Sequence, residues 1–372
     1  MFDISELYMK GYRKFSDNTF QFKPGLNVIV GKVCSGKSSI VEACHSLLAP
    51  LMSYLGTQER NSGLKQEDET VDEKEFIGSQ CGRTDISLVL NCFDKTRTLS
   101  RGRSSFDNDI RTKNNSQYRA LGGKLEKLCV DFNNAIRNAE PYPTMPVLGY
   151  YSKDRFNIPE WLKTNYFDNT ACRRIIQELG YVDALKKKTD FRFCYDHIQI
   201  LSCSAFEEKE LAKQGIASKD FYEVYIRHLG RIFKKAFRVF YPNLGIEDFR
   251  WFPAQENLAL VYKGERYCLN AFFYYAVANT MMVVDIARRT SALYNWYNDE
   301  RVTDAEGIVL IDDIIDCRML EKREIAVFLT LLTELFPKIQ FIVTANQDLN
   351  DMYSVLREMT QDEDKVNVIE LE

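Results

Sequence analysis

Apolar positions change their period several times along this chain. Leu26, Val28, Ile29 and Val30 form a short β-branched run that predicts a buried strand. From Lys37 onward Ile40, Val41, Cys44, Leu47 and Leu48 recur at helical spacing. Upstream, Ile4 to Met9 and Thr19 to Phe22 alternate as strands, and Ile86 to Phe93 with Thr96 to Ser100 predict a hairpin. Helical spacing returns over Leu121 to Ala139, at Leu125, Leu128, Cys129, Phe132 and Ile136. Residues 157–240 read as mostly helical. Their clearest helix is Phe221 to Phe240, with a buried stripe of Val224, Ile226, Leu229, Ile232, Phe233, Ala236, Phe237 and Phe240. Ala271 to Val284 reads as an aromatic core helix. Pro146 to Arg155 reads as a strand ending in a polar turn, and Ile339 to Asn346 as a further strand. Residues 56–80 and 107–117 are polar loops. No heptad pattern is sustained between residues 80 and 250, so no long coiled-coil arm is expected.

At 372 residues the chain accommodates one large α/β domain or two modest ones. No apolar run approaches the roughly 20 residues of a membrane span, and the first residues lack a signal-peptide core. A cytoplasmic protein away from membranes is therefore expected. The net charge of −4 excludes a polycation, so nucleic-acid binding would need a local patch. Arg227, Arg231, Lys234, Lys235 and Arg238 form either that patch or a solvated helix face. The ten cysteines stand singly, with no CxxC pair and three histidines in the chain; they read as reduced, mostly buried thiols.

The chemistry concentrates between the first buried strand and its helix. Gly31, Lys32, Val33, Cys34, Ser35, Gly36, Lys37 and Ser38 follow the pattern glycine, four residues, glycine-lysine-serine, with Ser39 next. Strand, glycine loop and helix form the context that a phosphate-binding loop requires. Glycines let the backbone approach phosphate, and loop amides with the helix N-terminus point at phosphate oxygens. Lys37 would reach the β- and γ-phosphates of ATP, and the Ser38 hydroxyl would coordinate Mg²⁺. Far downstream, Gly307 to Ile311 is an apolar strand ending in Asp312 and Asp313, the second half of such a site.

The opening strand, the turn Gly11-Tyr12-Arg13-Lys14-Phe15, the run Gly25 to Gly31 and the glycine-lysine-serine motif resemble the start of the RecF/SMC branch of ABC-type ATPases. The segment Pro146 to Arg155 is similar to the ATPase subunits of Septu-like and retron-associated anti-phage systems. The resemblance implies an α/β, ABC-type P-loop head with a mixed sheet and a helical insertion. Its expected parts are an N-terminal ATPase lobe over 1–155, a helical insertion over 156–245 and a C-terminal lobe over 246–372.

The resemblance also implies residue roles. Arg13 or Lys14 would lie near the nucleotide, and Gln80 would be the metal-contacting glutamine. Asp312 would hold Mg²⁺, and Asp313 takes the slot of the glutamate that polarises the attacking water. Asn346 stands where the family has a histidine; it can donate a hydrogen bond to γ-phosphate but cannot be a cation. Arg155 at a strand end serves phosphate, an interface or a structural ion pair. Counting back from Val283 to Arg289, the serine- and glycine-bearing signature falls on Phe272, Phe273, Tyr274 and Tyr275.

These departures all touch hydrolysis or subunit closure. Aspartate is about 1.5 Å shorter in reach than glutamate, and a misplacement of that size costs about 100-fold in rate. The expected function is ATP binding with slow hydrolysis, controlling a partner protein, a nuclease effector in anti-phage defence. The expected partners are copies of itself and that effector. The rivals are a repair ATPase acting on DNA and a scaffold that keeps the ATPase fold without nucleotide.

Overall fold

The computed structural model describes residues 1–55, 83–104, 116–138, 143–156, 178–216, 221–252, 257–294, 304–314, 322–346 and 366–371. Strands β1 (Asp3–Tyr12), β2 (Phe15–Gln21), β4 (Arg83–Cys92) and β5 (Lys95–Ser104) form an antiparallel sheet in the order β2-β1-β4-β5. A second sheet contains β3 (Leu26–Gly31), β6 (Val147–Tyr151), β10 (Gly307–Ile311), β11 (Ile339–Asn346) and β12 (Val366–Leu371). Its order is β12-β3-β11-β10-β6, and every pair in it is parallel. The mixed strand directions expected from the resemblance are thus divided between two sheets.

Helix α1 (Lys37–Leu48) contacts β3, β10 and β11 of the parallel sheet and β4 and β5 of the antiparallel one. It lies between two sheets, which is why Ile40, Val41, Ala43, Cys44, Leu47 and Leu48 are all buried. Strands of a parallel sheet covered on both faces read as continuous apolar runs, as β3 and β10 do. Gln340 is buried in β11 and fastens the sheets together. Its amide accepts from Ile4 N–H (2.8 Å) and donates to the carbonyls of Ile4 (2.7 Å) and Lys23 (2.9 Å). A buried amide with every contact satisfied fixes register without a desolvation penalty.

The helical layer contains α2 (Ser116–Asn138), α3 (Glu178–Tyr181), α4 (Arg192–Lys213), α5 (Phe221–Phe240), α6 (Tyr274–Leu293) and α7 (Lys322–Leu335). α5 matches the range read from the sequence, and its stripe from Ile226 to Phe240 is buried. Val224 is the correction: it is 43% exposed, because it falls at helical spacing on the solvent face with Arg227, Arg231, Lys235 and Arg238, while Tyr225 beside it is buried. α6 packs on α5, α3 and β6 and is buried from Tyr275 to Leu293.

Three charges inside α6 are compensated. Asp285 accepts from Arg288 Nε (2.8 Å), Arg289 Nε (2.9 Å) and the Tyr151 hydroxyl (2.8 Å). The arginines also donate to the carbonyls of Leu179, Gly180 and Val182. Burial alone would raise the Asp285 pKa, but the two guanidinium groups hold it down at about 2. Removing one member of such a buried group strands the others and costs about 3–5 kcal/mol.

A third sheet, β7 (Asp248–Phe252), β8 (Asn257–Tyr262) and β9 (Glu265–Cys268), is antiparallel and packs on α4 and α5. Its β8–β9 turn places Lys263 and Gly264 at φ 51° and 75°, the geometry of a two-residue hairpin. No helix among the described residues is long and apolar enough to cross a membrane.

The segment Phe272 to Tyr275 needs a second correction. It is not the interior of a core helix, for α6 begins at Tyr274, with Phe273 at its N-cap. Phe273 is 59% and Tyr274 41% exposed, while Tyr275 turns inward. The apolar run is therefore split between surface and core at the helix start.

Candidate functional site

Four strands of the parallel sheet deliver residues to one place, their carboxyl ends. This is where open α/β sheets bind ligands. β3 ends at Gly31 and opens the loop to α1. Cys34 (φ 66°) and Gly36 (φ 97°) carry the left-handed angles that curl it. A Cβ at Gly36 would lie 2.7 Å from the Phe15 ring, and one at Gly31 would lie 2.5 Å from Ser35 Oγ. Only glycine fits either position. Lys32, Val33 and Cys34 are exposed, and Ser35 is buried with a hydroxyl that has no hydrogen-bond partner.

Inside the loop, Lys37 Nζ donates to the carbonyls of Gly31 and Lys32, both at 2.7 Å. The Ser38 hydroxyl donates to Asp312 Oδ1 at 2.9 Å, across 274 residues of sequence. Asp312 is itself buried at the end of β10. Thr344 in β11 donates to the same Oδ1 (2.9 Å) and accepts from the backbone N–H of Asp313 (2.6 Å). Asp313 stands at φ 55°, unusual for a residue with a side chain. The backbone of Asn346 is paired with that of Gly31, so it too lies at the mouth of the loop.

The turn between β1 and β2 brings up the two basic residues. Arg13 donates to Ser39 Oγ (3.2 Å) and pairs with Glu42, both on the first turns of α1. Lys14 is exposed over the Phe15 ring, and its side chain lies within 3.0 Å of the Cβ position at Gly36. Both flank the loop. Gln80 lies outside the described residues. On α5, Arg227 reaches Glu223 (3.6 Å) and Lys234 donates to the Glu247 carbonyl (3.2 Å), so part of the basic face is used within the subunit.

The donor set suits a nucleotide with a magnesium ion. Mg²⁺ takes oxygen ligands and keeps several waters. The Ser38 hydroxyl and Asp312 carboxylate offer two such oxygens already in contact. The side-chain-free cradle at Gly31 and Gly36 leaves room for phosphate over the loop amides. No cluster of three carboxylate, cysteine or histidine ligands occurs among the described residues.

Two participants are absent from the sequence-based candidates or given no settled role there. Thr344 had a signal, since it sits two residues before Asn346 in the strand that the family resemblance already marked. Arg155 is not in an ion pair with either aspartate in the structure. It donates to their backbone carbonyls instead, which no spacing pattern announces.

Comparison with known proteins gives a family. The model of the AAA domain family AAA_23 matches residues 6–220, more than half of the chain. Among solved structures, an SMC head bound to the C-terminal winged-helix domain of ScpA is 14% identical with a TM-score of 0.48, covering 93% of this chain and 90% of that one. An SMC head with extended coiled coil bound to the ScpA C-terminal domain, from Pyrococcus furiosus, is 14% identical with a TM-score of 0.47, covering 94% and 91%. The recombination mediator RecF is 13% identical with a TM-score of 0.40, covering 92% of each chain. No curated protein matches. The chain belongs to the AAA domain family, and its parallel sheet carries a strand, glycine loop and helix of the phosphate-binding kind.

Proposed function

We propose that this protein binds ATP·Mg²⁺ through Gly31 to Ser39, hydrolyses it slowly, and uses the cycle to control a partner protein. The observation that carries this reading is the contact chain from Ser38 through Asp312 and Thr344 to the backbone of Asp313, beside Lys37. Lys37 would exchange its two loop carbonyls for phosphate oxygens. Ser38 and Asp312 would hold the magnesium ion, which when bound supplies charge neutralisation at the phosphates. Asp313 would take the proton of the attacking water.

Slow turnover follows from the fixed backbone of Asp313. Its N–H is bonded to Thr344 and its carbonyl to Arg155, so the chain cannot shift to make up for the missing methylene. A cationic histidine is also lacking at Asn346. The exposed aromatics Phe273 and Tyr274, where the family's signature would fall, offer apolar surface for a protein partner in place of serine and glycine donors. The assignment of that partner as a nuclease effector in anti-phage defence rests on the likeness of Pro146 to Arg155 to such systems.

Isothermal titration with ATP·Mg²⁺ tests the foundation. Wild-type chain should bind, and Lys37→Ala should lose binding altogether. Unchanged affinity in Lys37→Ala would remove the reading.

A further inference from the structure

Arg155 lies just past β6 in the turn Lys153–Phe156, and it is 1% exposed. Its Nη1 donates to the carbonyls of Asp312 (2.7 Å), Ser152 (3.0 Å) and Tyr151 (3.4 Å), and its Nη2 donates to the carbonyl of Asp313. The ring of Phe156 covers one face of the guanidinium at 4.2 Å, and Nε has no partner. Burial draws the Arg155 pKa down to about 10, against the opposing pull of Asp313 and Asp312.

A buried cation is an expensive way to satisfy carbonyls that a neutral donor would serve. What arginine adds is a rigid planar fork. It spans two successive carbonyls, those of Asp312 and Asp313, while still reaching β6. Lysine has a single nitrogen; it can reach two carbonyls, as Lys37 does in the loop, but it does not hold them with two donors fixed in one plane. The residue so gripped, Asp313, holds a left-handed angle that residues with side chains keep only when their surroundings enforce it. Thr344 grips its N–H and Arg155 its carbonyl. Rotation about either bond would swing the carboxylate.

We infer that Arg155 is a positioning residue for hydrolysis: its fork fixes the Asp312–Asp313 backbone and so aims the Asp313 carboxylate. The inference rests on the ATPase reading above. It differs from a purely structural role in acting through one side chain.

The test combines Arg155→Lys and Arg155→Ala with Asp313→Ala in single-turnover hydrolysis of radiolabelled ATP, with affinity measured by calorimetry. Both Arg155 variants should bind ATP within about threefold of wild type and hydrolyse it at least about tenfold more slowly, as a misaimed group would. In the Asp313→Ala background, Arg155→Lys should cause no further loss, since both changes disable the same group. If Arg155→Ala does not fold, Arg155→Lys carries the test alone. Hydrolysis by Arg155→Lys at the wild-type rate would overturn the inference. So would an equal further loss in the Asp313→Ala background. Wild-type chain that binds no ATP would instead overturn the ATPase reading beneath it, and this inference with it.

Discussion

Replacing Asp313 by glutamate should accelerate the protein. The backbone at this residue is pinned on both sides, by Thr344 Oγ1 at 2.6 Å and by Arg155, with φ at 55°. With the backbone held, side-chain length sets how far the carboxylate reaches. One methylene adds about 1.5 Å. A displacement of that order costs about 100-fold when a catalytic group is misplaced, which corresponds to about 2.7 kcal/mol of activation free energy. Glutamate tolerates the left-handed angle less well than aspartate, at a cost of roughly 1 kcal/mol. That cost falls on folding stability and not on the rate. Steady-state phosphate release against ATP concentration should therefore show kcat raised about 100-fold with KM little changed, from a wild-type rate well under ~10 s⁻¹. A kcat that stays level or falls in Asp313→Glu, with ATP affinity intact, would refute the argument that reach limits turnover.

Assembly and acid stability give two more expectations. Phe273 and Tyr274 cannot supply a signature serine and glycine, so light scattering should find any homodimer equally with and without ATP, and Phe273→Ser with Tyr274→Ser should weaken it. A clean monomer-to-dimer step on adding ATP, lost in Lys37→Ala, would contradict this and restore the family's usual sandwich. His197 is fully buried between Phe193 and Tyr225 with neither ring nitrogen bonded. Burial, with Arg288 nearby, lowers its pKa from 6.5 to about 3. The unfolded chain then binds the extra proton, so stability falls as pH drops below 6.5. The loss between pH 7 and pH 5 is about 2 kcal/mol. The stability gap between wild type and His197→Phe in urea should change by that amount, in favour of the variant at pH 5; a gap independent of pH would show that His197 titrates normally.

The candidate nucleotide site was legible where the chemistry is local. Glycines at 31 and 36, the apolar run before them and the helical spacing after them all express one strand–loop–helix unit, and each could be read without knowing what packs on it. Asp312 and Asp313 were legible because a buried strand leaves few reasons for two adjacent carboxylates at its end. Arg155 was not, and Thr344 only through its nearness to Asn346. Arg155 works on backbone carbonyls, and Thr344 on the Asp312 carboxylate and the Asp313 N–H, in residues far away in sequence, so neither role leaves a mark on local composition or period. The sheet β7–β9 was missed for a different reason. Its strands are short and partly exposed, and β9 is polar, so the alternation at Phe249 and Trp251 is too brief to stand out. The start of α6 was misjudged because hydrophobicity does not distinguish an aromatic that caps a helix at the surface from one that fills a core.

The placement of β12 beside β3 has a consequence for the birth of the protein. Leu371 is paired with Gly31, and its carbonyl lies 2.8 Å from where a Cβ of Gly31 would be. The rear wall of the phosphate loop is thus made some 340 residues after the loop itself. At ordinary translation rates the loop strand emerges from the ribosome on the order of tens of seconds before that wall does. Until β11 and then β12 emerge, β3 lacks its neighbours in the sheet and presents bare edges that invite wrong pairing. A nascent or prematurely terminated chain therefore carries the whole phosphate-loop motif without a finished site.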